Sequence, residues 1–396
     1  MILDGISRRG LLRVSGGAVL QRSGYAVWSW ERWREITGER RPSISTEQSG
    51  RAQLSGLLPP GTAKAEDWAA RRTALRRAVD VFLGTPPESA PPLEPRTESE
   101  VRLDDGIVRR RVRFQTEPGE FVPAWLFVPA RAAGRLPAVV CPHQTTQDGK
   151  DEPAGIRGNP RLAMALTLAR RGYVTLSYDA ACFGERHDPA TGHYGEAIAF
   201  YQRHPEWSLM GKMAWDLSRA AGFLARQDFV DASRIASAGH SHGGYTTWFA
   251  MALDERISAG VSSCGFDTFR HDGNPYRWSH ATALLPRLGF YVSSPHINMR
   301  SYSGVPDSEV IQVPFDMHQV LALIAPRPLM LTASDDDEIF PNAGWSTRQA
   351  EARLRPVYEL LKARDRLETF FFRGGHGFPP ASEERAFAFI DGWLRR

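Results

Sequence analysis

Hydrophobic and polar positions change rhythm near residue 100. From there onward, short apolar or alternating runs take turns with longer stretches at helical spacing. Residues 108–115 and 122–128 read as strands, and Pro123 predicts an edge position for the second. Residues 136–141 form a short apolar run suited to a buried parallel strand. Residues 173–178, 235–239, 257–262, 329–332 and 368–372 repeat that signal. Between them, residues 160–171, 209–227, 317–324, 346–363 and 382–394 read as helices. This alternation predicts an α/β chain: a mainly parallel twisted sheet covered by helices on both faces, with ligands outside the carboxyl ends of the strands.

Residues 1–98 follow no such alternation and are expected to form a helical extension ahead of a main unit over 99–396. Within it, residues 66–83 place Trp68, Leu75, Val79 and Phe82 on one helical face. A proline-rich connector follows, and residues 40–60 are expected to be partly disordered. Residues 267–315 are irregular and rich in Pro, Tyr, Trp and His, the pattern of a lid or pocket wall inserted in the main unit.

Composition changes the picture little. The chain has 396 residues, 42% apolar and 24% charged, with a formal charge of +4. No basic stripe is interleaved with aromatics, so no nucleic-acid partner is expected. Three scattered cysteines, Cys141, Cys182 and Cys264, make no disulfide framework and read as small buried hydrophobes. No run approaches the length of a membrane span. Arg8 and Arg9 resemble a twin-arginine export signal, but Gln21-Arg22 interrupts the apolar segment behind them. A cytoplasmic and an exported location both stay open, as does assembly into a homo-oligomer.

The chemistry is concentrated at three strand ends. Gly239-His240-Ser241-His242-Gly243-Gly244 joins a strand to an apolar helix, the setting of a nucleophile elbow. Serine needs a base, and the base needs a group to orient it. His376, flanked by glycines after the last strand, is the expected base. Three adjacent aspartates follow the strand before it. Spacing to Pro341 favours Asp337 over Asp336, with Asp267 a third choice. The main-chain N–H groups of His242 and Gln144 are expected to hold the oxyanion. His143 and His240 read as pocket lining, and Phe266, Tyr276, Trp278, Phe290 and Tyr291 as pocket walls. No metal is expected, because the His240-x-His242 pair has no carboxylate or thiol partners nearby in sequence.

The elbow, the Asp337-x-x-x-Pro341 spacing, Gly375-His376-Gly377 and their order resemble the α/β-hydrolase superfamily over about residues 100–396. Tyr178-Asp179, Phe183-Gly184-Glu185-Arg186, the stretch from Gly211 to Asp216 and Ile324-Ala325-Pro326-Arg327-Pro328 are similar to the bacterial branch of acetyl-xylan esterases and dienelactone hydrolases. Gly239-x-Ser241-x-Gly243-Gly244-Tyr245 also resembles prolyl-oligopeptidase-like catalytic domains. Dienelactone hydrolases carry Cys where this chain has Ser241. The resemblance implies a serine esterase acting on a small-molecule ester without a cofactor. An amidase or peptidase using the same triad is the near alternative, and a non-catalytic binding protein the distant one. Lys150, Arg186 and Arg327 are read as structural ion-pair partners.

Overall fold

The computed structural model describes residues 28–41, 54–59, 61, 64–130, 134–269, 271–272, 275–291 and 315–395. Arg8 and Arg9 lie outside them. Nine strands form one sheet: β1 (Arg96–Arg102), β2 (Ile107–Glu117), β3 (Glu120–Pro129), β4 (Leu136–Val140), β5 (Val174–Tyr178), β6 (Val230–His240), β7 (Ala259–Ser263), β8 (Leu329–Ser334) and β9 (Leu367–Phe372). Their order is β1-β2-β3-β5-β4-β6-β7-β8-β9. The ladders among β1, β2, β3 and β5 are antiparallel, and all the others are parallel.

Alternation along the strands feeds two cores. In β4, Ala138 and Val140 join one and Val139 the other; in β8, Leu329 and Leu331 oppose Met330 in the same way. Helices α1 (Trp30–Thr37), α2 (Ala65–Leu83), α5 (Leu209–Ala225), α6 (His242–Leu253), α7 (Met317–Ala322) and α8 (Ala343–Leu360) cover the first face, with the short α4 (Ala197–Arg203) beside α1. Helices α3 (Met164–Arg170) and α9 (Pro380–Leu394) cover the second. Among the described residues, no helix is long and apolar enough to cross a membrane.

Strand β1 has no apolar alternation and all seven of its residues are exposed, so it begins the sheet at Arg96, ahead of the expected boundary at 98. Strand β3 is internal, not an edge. Pro123 accepts from Asp179 N at 3.1 Å but cannot return a donor; Arg186 Nη1 supplies it, bonding Asp179 O at 2.9 Å. Part of the 40–60 stretch is packed, with Leu54 and Leu57 buried and Arg353 Nε donating to Leu54 O at 3.0 Å. Among the described residues Arg327 makes no ion pair: its guanidinium caps the main-chain oxygens of Asp254 and Ile257 at 2.8 and 2.9 Å. Lys150 and Arg186 do pair, Lys150 with Asp179 at 3.2 Å and Arg186 with Asp216 at 2.8 Å.

The described part of the insertion is held by the N-terminal helices. Trp30 Nε1 donates to Pro286 O at 2.7 Å, and Arg287 pairs with Glu39 at 2.5 Å. Phe290 meets Trp30 and Trp33 with ring centroids 5.4 and 5.9 Å apart.

Candidate active site

Strand β6 ends at His240, and helix α6 begins at His242. Ser241, between them, has φ 52° and ψ −116°, a strained conformation for a residue with a Cβ. Two main-chain bonds hold it there: Ser241 N to Ser263 O at 2.8 Å, and Tyr245 N to Ser241 O at 3.0 Å. The flanking glycines permit the turn. A Cβ on Gly239 would enter the backbone of Gly243, and one on Gly243 would enter the carbonyl of Pro142. The second contact also shows that the loop after β4 lies directly on the elbow.

His376 Nε2 stands 2.8 Å from Ser241 Oγ, and His376 Nδ1 stands 2.8 Å from Asp337 Oδ2. A carboxylate only accepts, so Nδ1 is the protonated nitrogen and Nε2 is free to take the serine proton. Asp337 is buried, and its other oxygen accepts from Ile339 N and Phe340 N, both at 2.8 Å. Those two bonds turn the carboxylate inward. Asp336 faces the other way. It is exposed and accepts from Ser334 Oγ at 2.7 Å, Gly374 N at 2.8 Å and Gly375 N at 3.1 Å. The Ser334 hydroxyl and these amides hold its pKa down to about 2. Asp267 lies buried against Ser346 Oγ at 2.5 Å, with its carboxyl pushed upward by burial.

The N–H of His242 opens helix α6, where no helical acceptor exists. Gln144 lies on the loop facing it. The Gln144 side chain donates to Glu152 at 2.9 Å, and His143 Nε2 accepts from Ala180 N at 3.1 Å. Two successive side chains therefore fasten this loop to the body of the protein. His143 serves as a brace and is buried.

The expected pocket walls divide. Trp278 reaches α6 through Tyr245 at 5.0 Å and donates Nε1–H to Asp272 at 3.1 Å. Tyr276 lies against His280 at 4.3 Å. Phe266 packs on Trp248, and Tyr291 on Phe82. With Phe290 on the N-terminal tryptophans, these last three rings are occupied by core contacts. Burial lowers the pKa of His242, whose ring lies 3.1 Å from Met213 Sδ.

Sequence reasoning missed Glu338 and Cys264. Glu338 accepts from His376 N at 2.8 Å, and the Cys264 thiol meets Gly377 O at 3.5 Å. The position of Glu338 in the acidic run Asp335–Glu338 was the available signal. Ligand atoms of Cys264, Asp337 and His376 lie within 4.8 Å of one another, so a soft metal ion would compete with the Asp337–His376 bond.

The model of the family described as fungal glucuronyl esterase matches residues 143–361, more than half of the chain. This chain belongs to that family. A glucuronyl esterase family member is a carboxylic-ester hydrolase, and this one has the α/β-hydrolase sheet. The protein YtaP of Bacillus subtilis (strain 168) is 26% identical over 281 residues, covering 69% of this chain and 84% of its own length. The 4-O-methyl-glucuronoyl methylesterase of Phanerochaete carnosa is 25% identical over 238 residues, 56% of this chain and 55% of that enzyme. Among solved structures, a glucuronoyl esterase from Solibacter usitatus superposes with a TM-score of 0.66 at 18% identity, covering 89% of this chain and 99% of that one.

Proposed function

We propose that this esterase cleaves a carbohydrate-borne carboxylic ester by acyl transfer through Ser241. One observation carries the proposal: the unbroken line from Ser241 Oγ through His376 to Asp337, with both hydrogen bonds at 2.8 Å. Ser241 attacks the acyl carbon while His376 takes its proton. Asp337 keeps the imidazole in the Nδ1–H tautomer and stabilises its cation. The N–H groups of His242 and Gln144 receive the oxyanion. His376 returns the proton to the leaving alcohol, and water then resolves the acyl-enzyme by the same steps in reverse.

The substrate class is proposed from kinship. The Phanerochaete relative is named for removing a methyl ester from a 4-O-methyl-glucuronoyl group. A uronic-acid ester, with the acyl carbon on the sugar itself, is therefore the proposed substrate. The test sets wild type and Ser241→Ala against methyl glucuronate, acetylated xylan and an aminoacyl anilide. Wild type should turn over the glucuronate ester fastest, and Ser241→Ala should lower that turnover by at least ~10⁴-fold. Near-normal hydrolysis by Ser241→Ala would discard the mechanism. Acetyl release without uronate release would discard the substrate class.

A further inference from the structure

Three neighbouring strand ends bring three unlike side chains together. Cys264 follows β7, Asp337 follows β8 and His376 follows β9. One ligand atom from each lies within 4.8 Å of the other two, and among the described residues no other group of His, Cys, Asp and Glu side chains is placed this way. Because the three come from separate strands, no spacing along the chain announces them. Cys264 is buried and free, and its φ of 45° lies in the left-handed region that a residue with a Cβ seldom adopts. Two contacts fix it: its N–H donates to Thr332 O at 2.8 Å, and its thiol meets Gly377 O at 3.5 Å. Asp337 is buried beside it. Its Oδ1 is taken by Ile339 N and Phe340 N, which leaves Oδ2 on the side of His376 Nδ1.

A thiolate, an imidazole nitrogen and a carboxylate oxygen are the donors that Zn²⁺ and Cd²⁺ take. Around one tetrahedral Zn²⁺ such donors stand roughly 3.3–3.6 Å apart. An ion here spreads the 2.8 Å contact between Asp337 and His376 a little and draws Cys264 closer. The loop carrying His376 has glycine at 374, 375 and 377, so it yields to a small shift. Charge also closes. The two positive charges of the ion meet one negative charge from Asp337 and one from the Cys264 thiolate, with the imidazole neutral. The buried cluster therefore ends uncharged.

We propose that Cys264, Asp337 and His376 form an inhibitory site for a soft divalent cation of the Zn²⁺ class, which holds the imidazole in the tautomer that cannot accept the Ser241 proton. As the sulfur–metal bond forms, the Cys264 S–H bond breaks and its proton passes to solvent. Nδ1 of His376 gives its lone pair to the ion, so the neutral ring carries its proton on Nε2 instead. Net, one proton leaves per ion bound, and nothing is oxidised or reduced. Nε2–H then faces Ser241 Oγ, 2.8 Å away, with no lone pair left to take the hydroxyl proton. Water fills the fourth position on the ion.

The inhibitory role rests on the hydrolytic reading of Ser241, His376 and Asp337; binding of the ion does not, and the experiment reads the two separately. Wild type, Cys264→Ala, Cys264→Ser and His376→Ala are titrated with Cd²⁺ alone, following the ultraviolet cadmium–thiolate charge-transfer band. Wild type should give the band at one ion per chain. Cys264→Ala should lack it although Cys141 and Cys182 remain, and His376→Ala should bind at least ~10-fold more weakly, since even an outer-shell partner is worth that much. Zn²⁺ should then inhibit wild-type hydrolysis of p-nitrophenyl acetate, with EDTA restoring it and Mg²⁺ at the same concentration without effect. Cys264→Ser, measured against its own metal-free rate, should need at least ~10-fold more Zn²⁺. No band in wild type overturns the site, as does an equal band in Cys264→Ala or equal Zn²⁺ sensitivity in wild type and Cys264→Ser. If neither Cys264 variant folds, His376→Ala decides, and an unchanged Cd²⁺ affinity overturns the site. A wild type that shows the band but is not labelled at Ser241 by a fluorophosphonate overturns the hydrolytic reading and the inhibition with it, and upholds the metal site.

Discussion

Four consecutive acidic residues serve four different partners. Asp335 pairs with Arg348 on α8 at 2.6 Å, Asp336 holds two glycine amides, Asp337 meets the imidazole, and Glu338 holds the amide of His376. Of the four, only Asp337 meets the His376 ring. Asp337→Asn should therefore cost about 10⁴ in kcat, because the amide no longer fixes the Nδ1–H tautomer. Asp336→Asn keeps an acceptor oxygen for the loop and should cost far less. Measuring kcat for both variants checks the assignment, and equal losses would sink it. Ser241 and His376 were legible because their glycine neighbours mark tight turns at strand ends. The choice between Asp337 and Asp336 was only half legible: both can accept, and what separates them is the inward turn enforced by Ile339 N and Phe340 N.

At the scale of elements, buried charge explains what hydrophobic rhythm did not. Lys212 on α5 is buried and pairs with Glu117 at 2.6 Å, Asp216 at 2.8 Å and Glu120 at 2.9 Å. Arg186 joins the same carboxylates Asp216 and Glu120. This cluster ties α5 to the β2–β3 turn and to the segment after β5. The carboxylate of Glu120 is held down to about 2, with Arg186 and Lys212 overcoming the opposing effect of burial. Lys212→Met would leave buried Asp216 with less compensation and should destabilise the fold by about 3–5 kcal/mol. A urea titration of the variant checks this; a loss under about 1 kcal/mol would make the cluster no stronger than a surface pair. Strand β1 escaped prediction for a related reason. It is joined to β2 by exposed pairs, Glu100–Arg110 and Glu98–Arg111, both at 2.7 Å, with no apolar face to announce it.

At the scale of the whole molecule, five described histidines are held without charge. His143, His193, His240, His242 and His280 all have pKa values lowered, chiefly by burial, with His280 at about 4. Each is neutral in the fold while its unfolded counterpart takes a proton near pH 6.5. Their contribution to stability is complete above that pH and is lost as pH falls through 6.5 toward their folded values. Two carboxyls raised by burial, Asp267 and Glu152, act in the opposite sense. Among the described residues, five such histidines set against two such carboxyls should lower the urea midpoint between pH 7 and pH 5. A midpoint that is level or rising over that interval would show that the carboxyls dominate.

The contact of Trp30 with Pro286 joins residues 256 positions apart. On the ribosome, Trp30 and Trp33 emerge well before their partners near 286–290, which follow only after on the order of ten to fifty seconds of synthesis. Through that interval two indoles wait for those partners in water or in the hands of a chaperone. Helix α1 is thus one of the last described elements to find its seat.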